Sequence, residues 1–302
     1  MKVSVIIPTY NAETYLPSLL ENLAQQTIDF ELIIIDSSSE DNTLKIAKQY
    51  TNNIIIIPHE EFDHGGTRTK AAKGAKGEII IFLTQDALPK NHSTLATLLE
   101  AFNDSNIGAV YGRQLSYSET NIFGKHLRMF NYPDSSHQRS IVDAIQYGIK
   151  TPFLSDSFAA YRKNILEDIS WFKNGLIVGE DTYAGAKILL ARHSLAYISN
   201  AEVYHSHSYT PKEEFQRYFD IGVFHTREQW ILENFGKAEG EGGKYVKSEF
   251  SYLLKHNAYL RIPEFFIRNG LKYLGYKLGR HYKKIPFSLR KKLSMHTLWW
   301  SK

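Results

Sequence analysis

The stretch Gly77-Glu78-Ile79-Ile80-Ile81-Phe82-Leu83-Thr84-Gln85-Asp86-Ala87-Leu88-Pro89 decides the fold of this chain. Five apolar residues follow one another without alternation, which predicts a strand buried on both faces, as in a parallel sheet covered by helices. The apolar run stops at Thr84, and Pro89 prevents the strand from continuing. Asp86 therefore stands at the carboxyl end of a central strand, the edge at which open α/β sheets bind ligands. The alternative is that this carboxylate only caps the following turn or helix.

Strands and helices alternate along the rest of the chain. Apolar runs predict strands at 3–7, 32–35 and 54–57, and helices are predicted at 12–25, 43–50 and 67–76. This order is typical of an α/β fold with a mostly parallel, Rossmann-like sheet flanked by helices. Further strands are predicted at 109–117, 153–161 and 196–203, with helices at 93–103 and 182–192 and a helical pattern from 212 onward. Residues 118–150 lack a clear period, as in an insertion that covers an active site or binds a second substrate.

The composition is that of a folded protein. Of 302 residues, 43% are hydrophobic and 23% are charged, which argues against wholesale disorder. The absence of cysteine excludes disulfides and thiolate-zinc sites, and it fits a reducing compartment. Neither a signal-peptide pattern nor an apolar run of about 18 to 20 residues is present. The glycine- and charge-rich stretch 236–243 predicts a linker between an α/β domain, 1–235, and a helical basic region, 244–302.

Positive charge is concentrated in residues 261–302. This segment contains 11 Lys and Arg residues against Glu264 alone, a balance of +10, whereas the rest of the chain has a balance of −6. Aromatic residues accompany the cations as far as Trp299 and Trp300. No nucleic-acid motif accompanies them, so an amphipathic segment seated on an anionic membrane surface is the favoured interpretation. The alternative is a solvated helix pair or a contact between copies in a homo-oligomer.

Polar residues follow three of the predicted parallel strands: Thr9 and Asn11, the cluster 36–41, and the segment 84–86. Because adjacent strand ends converge on one crevice, these side chains are expected to share a ligand. No G-x-G-x-x-G follows the first strand, which argues against a dinucleotide site, and the absence of G-x-x-x-x-G-K-[ST] excludes a P-loop.

The segment His64-Gly65-Gly66-Thr67-Arg68 adds groups suited to an anionic ligand. Its paired glycines allow backbone to come close to a ligand, and the Arg68 fork suits phosphate oxygens. The alternative for His64-Gly65-Gly66 is a plain turn.

Two further clusters carry titratable groups. Gly179-Glu180-Asp181-Thr182 places two carboxylates just before a predicted helix, a position that suits either chemistry or an N-cap. Val203-Tyr204-His205-Ser206-His207 places two histidines at i and i+2 on one face of a strand. That spacing suits a ligand site, but a satisfied core or surface histidine is the alternative.

These motifs resemble a known family. Val5-Ile6-Ile7-Pro8-Thr9-Tyr10-Asn11, the loop 36–43 and Thr84-Gln85-Asp86 are similar to the inverting glycosyltransferase family 2, which has a GT-A fold. The segment 64–68 and Thr84-Gln85-Asp86-Ala87 resemble its rhamnosyltransferase branch, which uses dTDP-L-rhamnose. The likeness covers residues 1–225 in order. The usual Asp-x-Asp motif of the family is replaced here by Thr84-Gln85-Asp86, so only the last carboxylate of the motif remains to coordinate a metal.

The resemblance implies a donor site and a metal site. By this resemblance, Asp36 is expected to contact the nucleotide base, Thr9 to lie at the edge of the nucleotide, and Arg68 to contact the phosphates or the sugar. The implied donor-binding set also includes Asn11, His64, Gly65, Gly66, Gln85 and Asp86. A divalent cation, Mg²⁺ or Mn²⁺, would be held by Asp86 and His205, with His207 as the second choice. It would neutralise charge on the departing diphosphate.

The resemblance also implies a catalytic base. An inverting transfer is a single displacement that needs one general base, and the family's acidic pair assigns that role to Asp181, with Glu180 orienting it or binding the acceptor. The resulting hypothesis is transfer of L-rhamnose from dTDP-rhamnose to a lipid-linked saccharide at the cytoplasmic face of the membrane, in polysaccharide synthesis. The alternatives are a UDP-hexose donor, or a nucleotide-sugar-binding protein that has lost catalysis.

Overall fold

A computed structural model describes residues 1–237 and 239–301 of the chain. The strands are β1 (Val3–Thr9), β2 (Glu31–Asp36), β3 (Ile54–Ile56), β4 (Ile79–Leu83), β5 (Leu88–Pro89), β6 (Ile107–Leu115), β7 (His137–Arg139), β8 (Phe158–Arg162) and β9 (Ser194–Tyr204). The α-helices are α1 (Leu16–Ala24), α2 (Thr43–Ala47), α3 (His64–Gly74), α4 (Thr94–Leu99), α5 (Ile122–Asn131), α6 (Ala144–Tyr147), α7 (Lys163–Asp168), α8 (Glu180–Leu190), α9 (Pro211–Arg227), α10 (Gln229–Phe235), α11 (Glu239–Lys255), α12 (Ile262–Arg280) and α13 (Phe287–Leu293).

The strands form one sheet in the order β3-β2-β1-β4-β8-β6-β9-β5, with β7 paired to β9. The half made of β3, β2, β1 and β4 is parallel, and β8 runs antiparallel between β4 and β6. Every residue of β4 is at most 1% exposed, because helices cover both faces of the sheet and bury two large apolar clusters. The α/β fold that the sequence predicts is confirmed.

Helix α3 begins earlier than predicted, at His64. The Asp63 side chain caps it by accepting a hydrogen bond from the Gly66 amide at 2.7 Å. Gly65 lies against the backbone of Lys173, where a Cβ atom would stand 2.2 Å from the carbonyl oxygen. The prediction of a glycine loop that approaches a ligand is therefore wrong, because Gly65 and Gly66 lie in the first helical turn and Gly65 permits close helix packing.

The predicted linker 236–243 is also wrong for most of its length. Helix α11 begins at Glu239 and includes Gly240, Gly242 and Gly243. A break in helical structure remains at Gly236, whose φ is +89°, and at Lys237, while Ala238 lies outside the described residues.

The basic region is not a separate unit. Helix α12 packs directly along α9, and Cβ atoms at Gly275 and Gly279 would stand 2.4 and 2.0 Å from the carbonyl oxygens of Phe215 and Phe219. Trp300 is 6% exposed and packs against Phe219. The region from 244 onward therefore shares its core with the α/β body.

Part of the charge and aromatic content of 261–302 is structural. Arg268 and Lys272 are 4% and 6% exposed, and both pair with Glu214 of α9. These two cations cannot face a membrane in this arrangement. No helix within 1–237 or 239–301 is long and apolar enough to cross a bilayer.

Candidate functional site

The carboxyl ends of β1 and β2 are joined through Asp36. This side chain is 0% exposed, and its Oδ2 accepts from Thr9 Oγ1 at 2.8 Å and from Ser39 Oγ at 2.6 Å, while Oδ1 accepts from the Ser39 amide at 2.8 Å. Both carboxylate oxygens therefore already have protein donors. The contact between Asp36 and a nucleotide base that the resemblance implies would need this loop to rearrange.

An aromatic pair lies at the same edge of the sheet. The rings of Tyr10 and His59 stack with centroids 4.2 Å apart, and Tyr10 is 39% exposed. The Gln85 amide fixes Tyr10 by accepting from its N–H at 2.9 Å and donating to its carbonyl at 3.2 Å. Asn11, with φ at +46°, accepts from the Glu40 amide at 3.0 Å. Sequence reasoning missed Tyr10 and His59, although Tyr10 directly follows β1 and His59 comes three residues after the end of β3. Each offers a flat face to a planar ligand.

Asp86, His205 and His207 come together, as the sequence predicts for a metal site. The Oδ2 atom of Asp86 lies 3.4 Å from His205 Nε2 and 3.9 Å from His207 Nε2. One ligand atom from each residue fits within a 4.8 Å span. Asp86 follows β4, and the histidines follow β9, whose Tyr204 pairs with Leu88 and so brings the two segments together.

Gln114 of β6 orients His205. Its Oε1 atom lies 2.8 Å from His205 Nδ1, and the same oxygen accepts a hydrogen bond from Arg128 of α5. Because this oxygen can only accept, His205 Nδ1 must donate, which leaves Nε2 as an acceptor aimed at Asp86. A carbonyl oxygen that accepts from the other ring nitrogen in this way fixes the tautomer of many metal-binding histidines.

The protonation states at this cluster suit a cation. Burial lowers the pKa of His205 below its usual value and that of His207 to about 4, so both rings are neutral at pH 7. One carboxylate and two neutral imidazoles are a donor set that fits a divalent cation.

Arg68 lies in a different place from the one that the resemblance implies. It is 5% exposed, with Nη1 3.1 Å from Glu180 Oε1 and Nε 3.3 Å from Asp156 Oδ2. Nη1 also donates to the His64 carbonyl at 2.9 Å. Because its guanidinium is engaged by two carboxylates and a carbonyl, the predicted contact with phosphate does not fit this geometry. Arg68 instead fixes the acidic cluster.

Glu180 and Asp181 form the first turn of α8 rather than preceding it. Gly179 stands before them with φ at +83°, a left-handed conformation that favours glycine. The Asp181 Oδ1 atom accepts from its neighbouring Thr182 amide at 2.6 Å, and Asp181 makes no ion pair with any residue in 1–237 or 239–301.

The two carboxylates of this pair differ in their electrostatics. Burial would raise the pKa of Glu180, but Arg68 holds it below its usual value. Burial, with the negative charge of Glu180 beside it, raises the pKa of Asp181 to about 6. Glu180 is thus a paired group that favours its charged form, whereas Asp181 makes no ion pair and has a pKa near neutral pH, which is a property that a general base needs.

Sequence reasoning missed Asp156, which completes the acidic cluster. It is 2% exposed, and its Oδ1 atom accepts from the Tyr161 hydroxyl at 2.5 Å. Burial raises its pKa well above the usual value. No motif marks Asp156, because its partner Arg68 reaches it only through the packing of α3 against the central strands.

Comparisons with known proteins show which proteins this chain is similar to. The model of the family described as Glycosyl transferase family 2 matches residues 4–170. The O-antigen chain rhamnosyltransferase RfbN of Salmonella typhimurium is 45% identical, over 100% of this chain and 96% of its own length. The O-antigen chain rhamnosyltransferase WbaN of Salmonella anatum is also 45% identical, over 99% and 95%.

A solved structure supports the fold. The mannosyltransferase PcManGT from Pyrobaculum calidifontis, determined in complex with GDP-Man and Mn²⁺, superposes with a TM-score of 0.66 over 94% of this chain and 88% of its own, at 16% identity. The fold shared with such glycosyltransferases is GT-A. With a family match over more than half of its length and two relatives aligned almost end to end, this chain belongs to glycosyl transferase family 2.

Proposed function

We propose that this protein is an inverting glycosyltransferase that moves L-rhamnose from dTDP-β-L-rhamnose to a saccharide acceptor in cell-surface polysaccharide synthesis. The catalytic part of this proposal is supported by the difference between the two carboxylates of the acidic pair. Arg68 forms an ion pair with Glu180, and Asp181 is left available as a base. The choice of donor and pathway is supported by the two full-length relatives, both of which are O-antigen chain rhamnosyltransferases.

In the proposed reaction, Asp181 takes the proton of an acceptor hydroxyl as the hydroxyl oxygen attacks the anomeric carbon of the donor. The new glycosidic bond forms as the bond from that carbon to the diphosphate breaks, and the bonding pair leaves on the phosphate oxygen. Attack from the face opposite the leaving group inverts the anomeric centre. Glu180, fixed by Arg68, keeps the base oriented and keeps its pKa raised.

Asp86, His205 and His207 would hold a divalent cation, which when bound would neutralise charge on the leaving diphosphate. Gln114 would keep the metal-facing nitrogen of His205 free of its proton. The neighbouring Tyr10 and His59 rings would offer the nucleotide base a stacking surface. Gln85, which bonds both backbone groups of Tyr10, would fix that surface at the strand edge.

We propose that α12 seats the enzyme on the inner leaflet and so brings it to a lipid-linked acceptor. The support is an exposed apolar stripe with a spacing of seven residues, which keeps its members on one side of a helix. Four of its members, Phe266, Ile267, Tyr273 and Leu274, lie on α12. The other two, Tyr259 and Leu260, lie in the 3-10 turn just before it, and Leu260 is 96% exposed. Lys283, Lys284, Lys291 and Lys292 are exposed and would face anionic headgroups.

A thermal-shift comparison of donors tests the proposed function. With Mn²⁺ present, dTDP and dTDP-rhamnose are expected to raise the Tm more than UDP and UDP-glucose, because stabilisation grows with the logarithm of ligand concentration over Kd. Equal or larger shifts with uridine nucleotides would favour the UDP-hexose alternative. A protein that binds dTDP-rhamnose but neither hydrolyses nor transfers it would favour the inactive binding protein.

A further inference from the structure

A small pocket lies next to the acidic pair. Its volume is about 170 Å³, and three segments distant in sequence line it: residues 62–64, 176–177 and 295–299. His64 connects the pocket to the acidic pair, because its Nδ1 atom lies 4.0 Å from Glu180 Oε1. The pocket is smaller than the roughly 300 to 1,000 Å³ of a site for a drug-sized ligand, which suits one sugar ring rather than a nucleotide.

The segment 295–299 is held firmly against the body. The Met295 amide donates to Asp220 Oδ2 at 2.9 Å, and Asp220 of α9 is 0% exposed. The Trp299 indole donates to the Gly175 carbonyl at 3.1 Å, just before α8. The next residue, Trp300, is buried against Phe219. These contacts fix the position of segment 295–299, which forms one wall of the pocket.

The pocket has the surface chemistry of a carbohydrate site. The His64 Nε2 atom is buried without a hydrogen-bond partner. The rings of His64 and His296 meet edge to face with centroids 5.1 Å apart, and Phe62 contacts His64 in the same way at 5.0 Å. A sugar ring presents C–H faces that pack on such aromatic rings and hydroxyls that satisfy the imidazole nitrogens.

We propose that segment 295–299 forms part of the acceptor site, where the pocket holds one sugar ring of the saccharide and His64 and His296 bond its hydroxyls. The inference rests on the proposed function, since it takes Asp181 as the base to which the bound saccharide presents its reacting hydroxyl. In this arrangement the region that the sequence assigns to a basic extension determines which acceptor is used. His64 and His296 are then positioning residues for the acceptor and not for the donor.

The test separates acceptor binding from donor binding. The probes are methyl glycosides of rhamnose, mannose, galactose and glucose, each titrated by saturation-transfer NMR into protein with dTDP and Mn²⁺. The variants are His296→Ala, which removes a polar contact, and Thr297→Trp, which fills the pocket from an exposed position without disturbing the core. The matched control is Leu289→Ala, which changes an exposed residue of α13 outside the pocket.

The wild type and the control are expected to bind at least one glycoside. Both pocket variants should weaken that binding by about fivefold or more, with dTDP affinity and Tm unchanged. In transfer to that glycoside, KM should rise while kcat at saturation holds. The proposal is overturned if the wild type binds no glycoside, if the variants bind as tightly as the control, or if they lose dTDP binding in parallel. Failure of the wild type to bind dTDP would instead overturn the proposed function.

Discussion

The guanidinium of Arg68 lies between two buried carboxylates, 3.1 Å from Glu180 and 3.3 Å from Asp156. A single cation thus joins α3 to the start of α8 and to the segment before β8. Arg68 holds Glu180 charged, and burial together with that neighbouring charge raises the pKa of Asp181 to about 6. The basicity of the proposed catalytic group therefore depends on a residue that does not touch the substrate.

Arg68→Ala is expected to lower the free energy of unfolding by about 3 to 5 kcal/mol, because it leaves buried carboxylates without their counter-ion. Denaturant unfolding measures this, and Lys70→Ala, an exposed change in the same helix, should stay within about 0.5 kcal/mol of the wild type. A stable Arg68→Ala protein with weakened dTDP binding would instead favour the phosphate contact that the sequence predicts.

Asp181→Asn should cut turnover by about 100-fold or more and leave dTDP affinity nearly unchanged, since the amide keeps the shape and loses the basicity. Initial-rate kinetics and calorimetry measure the two effects. Glu180→Gln is the comparison, and it should lower stability as well as activity, because it breaks the ion pair with Arg68. If Asp181→Asn turned over normally, the carboxylate would be a structural part of the first helical turn.

The rate of transfer should fall in acid. Burial and Glu180 raise the pKa of Asp181 to about 6, so the charged base predominates above that pH and is lost as the pH falls through it. The logarithm of kcat/KM should therefore decline below pH 6 with a slope of one, about tenfold per pH unit. Asp181→Asn should lack this acidic limb in its residual activity. An unchanged limb in that variant would assign it to another group.

Metal binding should depend on Gln114 as well as on the ligands. Asp86→Ala should abolish the gain in dTDP affinity on adding Mn²⁺, as should a chelator with the wild type. Gln114→Ala should weaken Mn²⁺ binding by about 10- to 100-fold, the usual effect of losing a partner that orients a ligand. Asp134→Ala, an exposed carboxylate elsewhere, is the control in the calorimetric titration. Full activity in chelator with tight dTDP binding by Asp86→Ala would exclude the metal.

Binding to vesicles of phosphatidylcholine and phosphatidylglycerol should require the exposed stripe on α12. Phe266→Ser combined with Tyr273→Ser should reduce co-sedimentation by about tenfold or more, because each buried aromatic contributes about 1.5 to 3 kcal/mol. Tyr50→Ser, at an exposed tyrosine elsewhere, should have no effect. High salt should weaken binding of the wild type, because it screens the lysines. Equal binding by both variants would leave the stripe without a membrane role.

The sequence predicts the parallel half of the sheet, because strand order and strand ends follow from apolar runs, and the family resemblance implies the meeting of Asp86 with His205. Prediction from the sequence fails where contacts between distant segments determine the structure. Asp156 and His296 reach the acidic pair through contacts between distant segments, which no local period records. The helical state of Gly240, Gly242 and Gly243 is a tertiary effect that overrides low helix propensity, since Tyr245 and Glu249 of the same helix are buried. The start of α3 could have been predicted locally, because Asp63 is a residue type that favours the N-cap position and the helix begins directly after it.

The contact of α9 with α12 sets a mechanical property of the enzyme. Gly222, Gly275 and Gly279 bring the two backbones together with no layer of side chains between them, so the helices cannot slide or hinge against each other. On the other side of α9, the Phe224 ring packs against Gly179, the residue immediately before the acidic pair. A Cβ atom at Gly179 would stand 2.9 Å from this ring. An enzyme seated on the membrane by α12, as proposed, would thus hold Asp181 at a constant height above the bilayer.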